Sequence, residues 1–403
     1  MINIRRSEYE QLISRQEELI ELVRQLRAEI ELLKNGRNSK TSSTAPSQDI
    51  SRSNAHSLRK SSGKPSGGQK GHPGHTLSMS ATPDTIIDYF PEHCTCGCSL
   101  EAVLESGQTR RQVVDIPPLK PEYTEHRSHH KICPVCGRIN AGHYPAGVNA
   151  RIQYGPNVKS TVSYMSIYQY LPYKRMVRFF KDAFSLPLSE GSIDNILEEM
   201  SQKSEVAYQA IRDKISKSEV VGSDETGCRV NGKKHWFHVW QNNILTFIVS
   251  FASRGHKVIE EYFPGGFLHS FYVSDCWASQ LKTKAKAHQL CIAHLLRELL
   301  NFEKSLQDTW SVKMKELIYR AIALKRTMLA EDYQNPPEEV AKLNRELDEL
   351  LTVDISGFHQ KEQAFINRLQ KHRQSIFTFL IYPNVPPDNN GSERAIRNVK
   401  VKT

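Results

Sequence analysis

The stretch from residue 219 to residue 275 constrains the fold more than any other part of the chain. "EVVGSDET" is an apolar, β-prone run read as a strand ending at Asp224. "CRVNGKKHWFHVW" places Asn231-Gly232 between two β-prone runs, a strong hairpin signal because both residues tolerate positive φ. "ILTFIVSFAS" is a third strand, "GHKVIEEYF" a short helix, and "SFYVSDCW" a further strand ending at Asp275. "QLC" starts one more and runs into the helical pattern "AHLLRELLNFEKSL". Three successive strands, a helix and additional strands predict an α/β core: a mixed sheet with helices on its faces.

Asp224 and Asp275 both follow apolar β runs. Carboxyl ends of neighbouring strands meet at one edge of a sheet, where ligands bind. Glu393, in "PPDNNGSERAIRNVKVKT", stands at the start of a predicted helix with Arg397 one turn later. Three converging carboxylates repel one another unless cations neutralise them. Oxygen donors of this kind suit Mg²⁺ or Mn²⁺. Two such ions about 3.5–4 Å apart clamp the attacking and leaving oxygens of a phosphodiester displacement.

The N-terminal segment, residues 1–34, reads as a coiled-coil helix. Leu12, Leu19, Leu26 and Leu33 recur every seven residues, with Tyr9, Gln16, Val23 and Ile30 at the companion position. Self-association is the expected use of that seam. Residues 35–85 are rich in Ser, Gly, Lys and Arg, a composition that cannot bury enough apolar surface to fold. This basic linker is expected to be disordered, and its Lys60, Lys64 and Lys70 are candidates for phosphate contacts. A zinc-ribbon-like module is expected at 86–148. "CPVCG" makes Cys133 and Cys136 a knuckle, and "CTCGC" offers Cys94 and Cys96, with Cys98 or His93 as substitutes. Residues 149–217 read as a helical domain, compatible with either a DNA-reading helix or a plain helical hairpin. Residues 301–372 read as a helical insertion broken at "NPP".

Net charge is +10, so a polyanion is the first partner to test. The longest apolar run is about half the length that spans a bilayer, and the N-terminus lacks a signal-peptide core. A cytoplasmic protein without a membrane partner is therefore expected.

The motifs together resemble a known family. "GGQKGHPGHT", "CTCGCSL", "RRQVVDIP", "CPVCG", "DETGCRVNGKKHWFHVW", "VSDCWAS", "LCIAHLLREL" and "PDNNGSERAIRNVKV" occur in the order found in the insertion sequence 66 family of bacterial transposases. The resemblance implies an RNase H-like catalytic core over 218–403 with a DDE triad matching Asp224, Asp275 and Glu393. It singles out Cys291, His294 and Arg297 in "CIAHLLREL" as auxiliary residues, and it places Arg394 and Arg397 where phosphates can be held. It implies DNA, both element ends and target, as the partner, with Mg²⁺ and Zn²⁺ as cofactors, homo-oligomers through the N-terminal helix and a nucleoid-associated location in a bacterium. The expected reaction is metal-dependent cleavage and strand transfer. The family usually extends beyond the position of Thr403, so the resemblance also implies a missing C-terminal portion. The rival expectations are a catalytically inactive, truncated form acting as a DNA-binding protein or repressor, and a nuclease or resolvase without strand transfer.

Overall fold

The computed structural model describes residues 6–35, 71, 77–117 and 119–400. In chain order these form α1 (Arg6–Asn35), β1 (His130–Ile132), β2 (Ile139–Ala141), α2 (Pro156–Ile167), α3 (Tyr173–Phe184) and α4 (Glu190–Ser216). There follow β3 (Val220–Val230), β4 (Lys233–Gln241), β5 (Thr246–Phe251), α5 (Lys257–Tyr262), β6 (Phe267–Ser274), α6 (Ala278–Leu281) and β7 (Ala285–Leu290). The rest is helical: α7 (Ile292–Leu306), α8 (Thr309–Thr327), α9 (Glu338–Leu351), α10 (Gln360–Lys371), α11 (Thr378–Ile381) and α12 (Asn390–Lys400). Contacts divide the chain into two compact units. Among the described residues, one holds α1, α2 and everything from Gly191 onward, and the other holds β1, β2 and α3. No helix among the described residues is long and apolar enough to cross a membrane.

β3 to β7 form one five-stranded mixed sheet in the order β5-β4-β3-β6-β7. The hairpin pairs β3 antiparallel to β4, and β5 continues antiparallel on the far side of β4. At the turn, Asn231 and Gly232 take φ of 51° and 75°, the left-handed pair that a two-residue hairpin requires. After α5 the chain crosses over, so β6 lies parallel to β3 and β7 parallel to β6. On one face, Val221, Trp240, Phe247 and Tyr272 pack with Val258 and Ile259 of α5 and Ile215 of α4, all buried. The Tyr208 hydroxyl of α4 donates to the Ile248 carbonyl at 2.8 Å and fixes the helix across β5.

One expectation needs correcting. The strand does not end at Asp224 but continues to Val230. Its polar residues stay extended because β4 pairs with the whole length, from Gly222 opposite Gln241 to Val230 opposite Lys233. Asp224 is therefore a mid-strand residue, opposite Val239.

The stretch 301–372 is helical, and its apolar spacing explains how it packs. Leu343, Leu347 and Leu351 of α9 recur at i+4 and are buried, as are Leu295, Leu299 and Phe302 of α7. Phe302 meets Phe365 of α10 edge-on at 5.4 Å. Asp308 caps α8, accepting from the Trp310 and Ser311 amides. Buried Glu362 faces this cap, and burial together with the hydrogen bond to Asp308 pushes its carboxyl up to about 8. It is therefore a neutral acid at pH 7. A carboxyl whose native pKa is raised stabilises the fold fully only below its unfolded value, and that stability is lost as pH rises through about 8. Glu362→Gln keeps a donor without the charge, so it should flatten the fall in melting temperature between pH 5 and 9. An unchanged slope would show that Glu362 ionises freely.

The heptad segment is helical, from Arg6 to Asn35. Leu19, Val23, Leu26 and Ile30 of the seam are each about half exposed.

Candidate active site

Asp224 is placed by the sheet. Side chains alternate along a strand, so Asp224 shares a face with Gly222. Val220 pairs with Phe271 and Gly222 with Val273 in the parallel ladder. Continuing that register for two residues brings Asp224 level with Asp275, just past the end of β6. Asp275 Oδ1 accepts from the Trp277 amide at 3.0 Å, a local turn that holds the carboxylate at the strand end.

Glu393 arrives on α12, and the docking of that helix explains the polar string "DNNGSER". Asn389 Nδ2 donates to the Ser223 carbonyl at 2.6 Å, one residue from Asp224. The Ser392 hydroxyl donates to Asn389 Oδ1 at 2.7 Å. The Asn389 amide points at Cys291 Sγ, 3.2 Å away, and the Ile292 amide donates to the Pro387 carbonyl at 2.9 Å. Two glycines permit the approach. A Cβ on Gly222 would lie 2.5 Å from Gln241 Nε2, 2.7 Å from Asn389 Oδ1 and 2.8 Å from Ser392 Oγ. A Cβ on Gly391 would lie 2.5 Å from Gln241 Nε2. α12 thus lies on β3 and β4 with Glu393 in its first turn.

The three carboxylates sense one another. Burial pushes the Asp224 carboxyl well up, and the charges of Glu225, Asp275 and Glu393 add to it. Glu393 has one compensating partner: Arg297 Nη2 donates to Oε1 at 3.0 Å and to Oε2 at 3.3 Å. His294 Nδ1 stands 3.9 Å from Oε1. Burial and then Arg297 hold the His294 imidazole below its usual value, so it is neutral. Asp224 and Asp275 have no such cation among their described hydrogen bonds and ion pairs. Carboxylates gathered in this way are oxygen donors of the kind that hold hard divalent cations.

Glu225, which sequence reasoning missed, points to the opposite face and is buried. Arg254 Nε donates to Glu225 Oε1 at 2.9 Å, and Gln280 Nε2 donates to Oε2 at 2.7 Å. The Tyr272 hydroxyl donates to Gln280 Oε1 at 2.6 Å. The Arg254 guanidinium stacks over Trp277 at 3.9 Å and Trp236 at 4.9 Å. Burial and the charge of Asp275 push Glu225 up, and Arg254 opposes them. This chain of contacts fastens the turn bearing Asp275 to the strand bearing Asp224. Arg254→Met strips a buried carboxylate of its partner and should cost about 3–5 kcal/mol in urea denaturation. A loss below about 1 kcal/mol would mean that the pair contributes no more than a surface contact. The "DET" string hinted at Glu225; nothing in the sequence pointed to Arg254.

Arg394 and Arg397 are exposed on α12. Lys60, Lys64 and Lys70 lie outside the described residues. Each cysteine pair sits in a tight turn: the Gly137 amide donates to the Cys133 carbonyl and the Gly97 amide to the Cys94 carbonyl, both at 2.9 Å. Hydrogen bonds from the Cys136 and Val135 amides hold the Cys133 thiol below its usual value. Among the described residues, Cys94, Cys96, Cys133 and Cys136 are not gathered into a group of ligand atoms within 4.8 Å; Cys291, His294 and Glu393 are. The three carboxylates are each half-buried. A nearby groove of about 370 Å³ is lined by Gly222, Gln241, Asp388 and Asn389 and does not include them.

No curated protein matches the chain. Residues 151–403 match the family described as Transposase IS66 family. That match covers well over half of the chain and includes β3 to β7, α12 and all three carboxylates, so the chain belongs to the IS66 family of transposases.

Proposed function

We propose that this transposase cuts and joins DNA by metal-dependent phosphoryl transfer at Asp224, Asp275 and Glu393. The observation that carries the reading is the convergence just described: Asp275 and Glu393 both raise the pKa of Asp224, although neither is its neighbour in sequence. The strand order β5-β4-β3-β6-β7, with its first three strands antiparallel and the last two parallel, supports an RNase H-like core, in which a DDE triad occupies this position.

Asp224 would hold both Mg²⁺ or Mn²⁺ ions, with Asp275 and Glu393 holding one each. Bound there, the ions would activate water or a 3′-hydroxyl and neutralise the leaving oxygen. Arg297 orients the Glu393 carboxylate through hydrogen bonds to both of its oxygens. The Trp277 amide and the Arg254 stack hold the turn carrying Asp275. Asn389 locks α12 to the backbone beside Asp224. Exposed Arg394 and Arg397, with Lys60, Lys64 and Lys70 of the basic segment, would hold DNA phosphates.

We assign the remaining segments by the same reading. Residues 1–34 would form a coiled coil pairing two subunits, as the exposed seam of α1 favours. Residues 35–85 would be a basic linker, 86–148 a zinc module using Cys94, Cys96, Cys133 and Cys136, and 149–217 a helical domain ahead of the catalytic domain. The test is Mg²⁺-dependent cleavage and joining of DNA carrying the element's ends, with Asp224→Ala, Asp275→Ala and Glu393→Ala beside the intact chain. Loss of both products in all three variants, with DNA binding retained, is expected. Cleavage surviving any one of them overturns the triad. Binding with no cleavage by the intact chain would favour a DNA-binding repressor, and nicking without joining would favour a nuclease.

A further inference from the structure

We propose that Cys291, His294 and Glu393 form a binding site for a thiophilic transition-metal ion of the zinc class, chemically distinct from the hard-cation position at Asp224 and Asp275. The three side chains offer one sulfur, one nitrogen and one oxygen, with ligand atoms all within 4.8 Å of one another. Such a mixed set favours zinc-like ions over Mg²⁺, which takes oxygen donors and near-octahedral geometry.

The strongest sign is His294. Its Nδ1 is buried and has no hydrogen-bond partner. It faces Glu393 Oε1 across 3.9 Å, too long for a hydrogen bond. A tetrahedral zinc ion with bonds of ~2.0–2.2 Å sets two ligands roughly 3.4 Å apart, so closing the gap by about 0.5 Å brings both atoms onto one ion.

Cys291 is prepared in a different way. It is the N-cap residue of α7, where the helix dipole favours a thiolate. The Asn389 amide already points at its sulfur, an outer-shell bond of the kind that steadies metal-bound thiolates. Burial pushes the free thiol up to about 12, so the sulfur keeps its proton until a cation displaces it. Arg297 can retain Glu393 Oε2 while Oε1 turns to the metal.

Glu393 is shared between this site and the proposed catalytic cluster. Occupation by zinc would therefore withdraw it from Mg²⁺ chemistry; that consequence rests on the DNA-cleavage reading, whereas binding itself does not.

The test uses full-length protein in which Cys94, Cys96, Cys98, Cys133 and Cys136 are replaced by serine, so that the knuckles contribute no signal. The protein is stripped with chelator and titrated with Co²⁺ alone. Expected is a thiolate-to-Co²⁺ charge-transfer band saturating near about one equivalent, with affinity lowered at least about tenfold by His294→Gln and the band abolished by Cys291→Ser. Circular dichroism establishes that each variant is folded. If Cys291→Ser does not fold, His294→Gln and Glu393→Gln carry the decision. No charge-transfer band in the parent, its persistence in Cys291→Ser, or unchanged affinity in His294→Gln would overturn the site. None of these readouts depends on DNA cleavage, so the site can fail while the catalytic reading stands, and the reverse.

Discussion

Asp224→Asn is expected to lower Mg²⁺-dependent DNA cleavage by at least about 1,000-fold, equivalent to about 4 kcal/mol of transition-state stabilisation. The same substitution should make the metal-free protein more stable at pH 7. Both effects come from one cause. Asp224 is buried beside Glu225, Asp275 and Glu393, and its native pKa lies well above the ordinary value. Between the unfolded and native pKa values the folded state binds more protons than the unfolded one, so stability falls as pH rises through that window. Asparagine has the same shape and no charge, and it removes this penalty. Melting curves in chelator from pH 4 to 8 should therefore decline for the parent and run flatter for Asp224→Asn. Added Mg²⁺ should raise the parent's melting temperature and leave the variant's nearly unmoved. A variant that melts below the parent in chelator at pH 7 would show that the carboxylates are not in conflict.

The second large effect is expected at the glycines beneath α12. Gly222→Ala puts a methyl group within 2.8 Å of three atoms. Two of them cannot yield, because Asn389 is tied to the Ser223 carbonyl and Ser392 is tied to Asn389. Overpacking of this kind costs about 1–3 kcal/mol. It should also lift Glu393 from its position, and a displacement of about 1 Å lowers catalysis by roughly 100-fold. Gly391→Ala meets only the Gln241 side chain, whose end can swing away. Adding Gln241→Ala should therefore restore cleavage to Gly391→Ala but not to Gly222→Ala. Equal rescue of both would mean that α12 is held by Gln241 rather than by the Asn389 tether.

Much of the sheet was legible in the sequence. Asn231-Gly232 marks its hairpin, and "ILTFIVSFAS" and "SFYVSDCW" mark two strands, because turn geometry and side-chain alternation are local. The extent of β3 was not, since "SDETGC" is polar and stays extended only through pairing with β4. Asp275 and Glu393 were placed correctly on a strand end and a first helical turn. Their meeting depends on the parallel register and on close backbone approach at Gly222, which no local pattern encodes. The Glu225–Arg254–Trp277 chain was invisible because its members lie far apart in sequence and meet only on folding. The Cys-x-x-His spacing at Cys291 and His294 was readable; the depth of both residues, which decides their chemistry, was not.

The tether from Asn389 to the strand carrying Asp224 has a consequence for biosynthesis. Asp224 and Asp275 leave the ribosome with the sheet, while Glu393 follows only after the long run of helices has been made. On the DNA-cleavage reading proposed above, a nascent chain that holds only Asp224 and Asp275 would not yet cut DNA. Competence would then come late, once Asn389 ties the helix of the third acid to the Ser223 carbonyl.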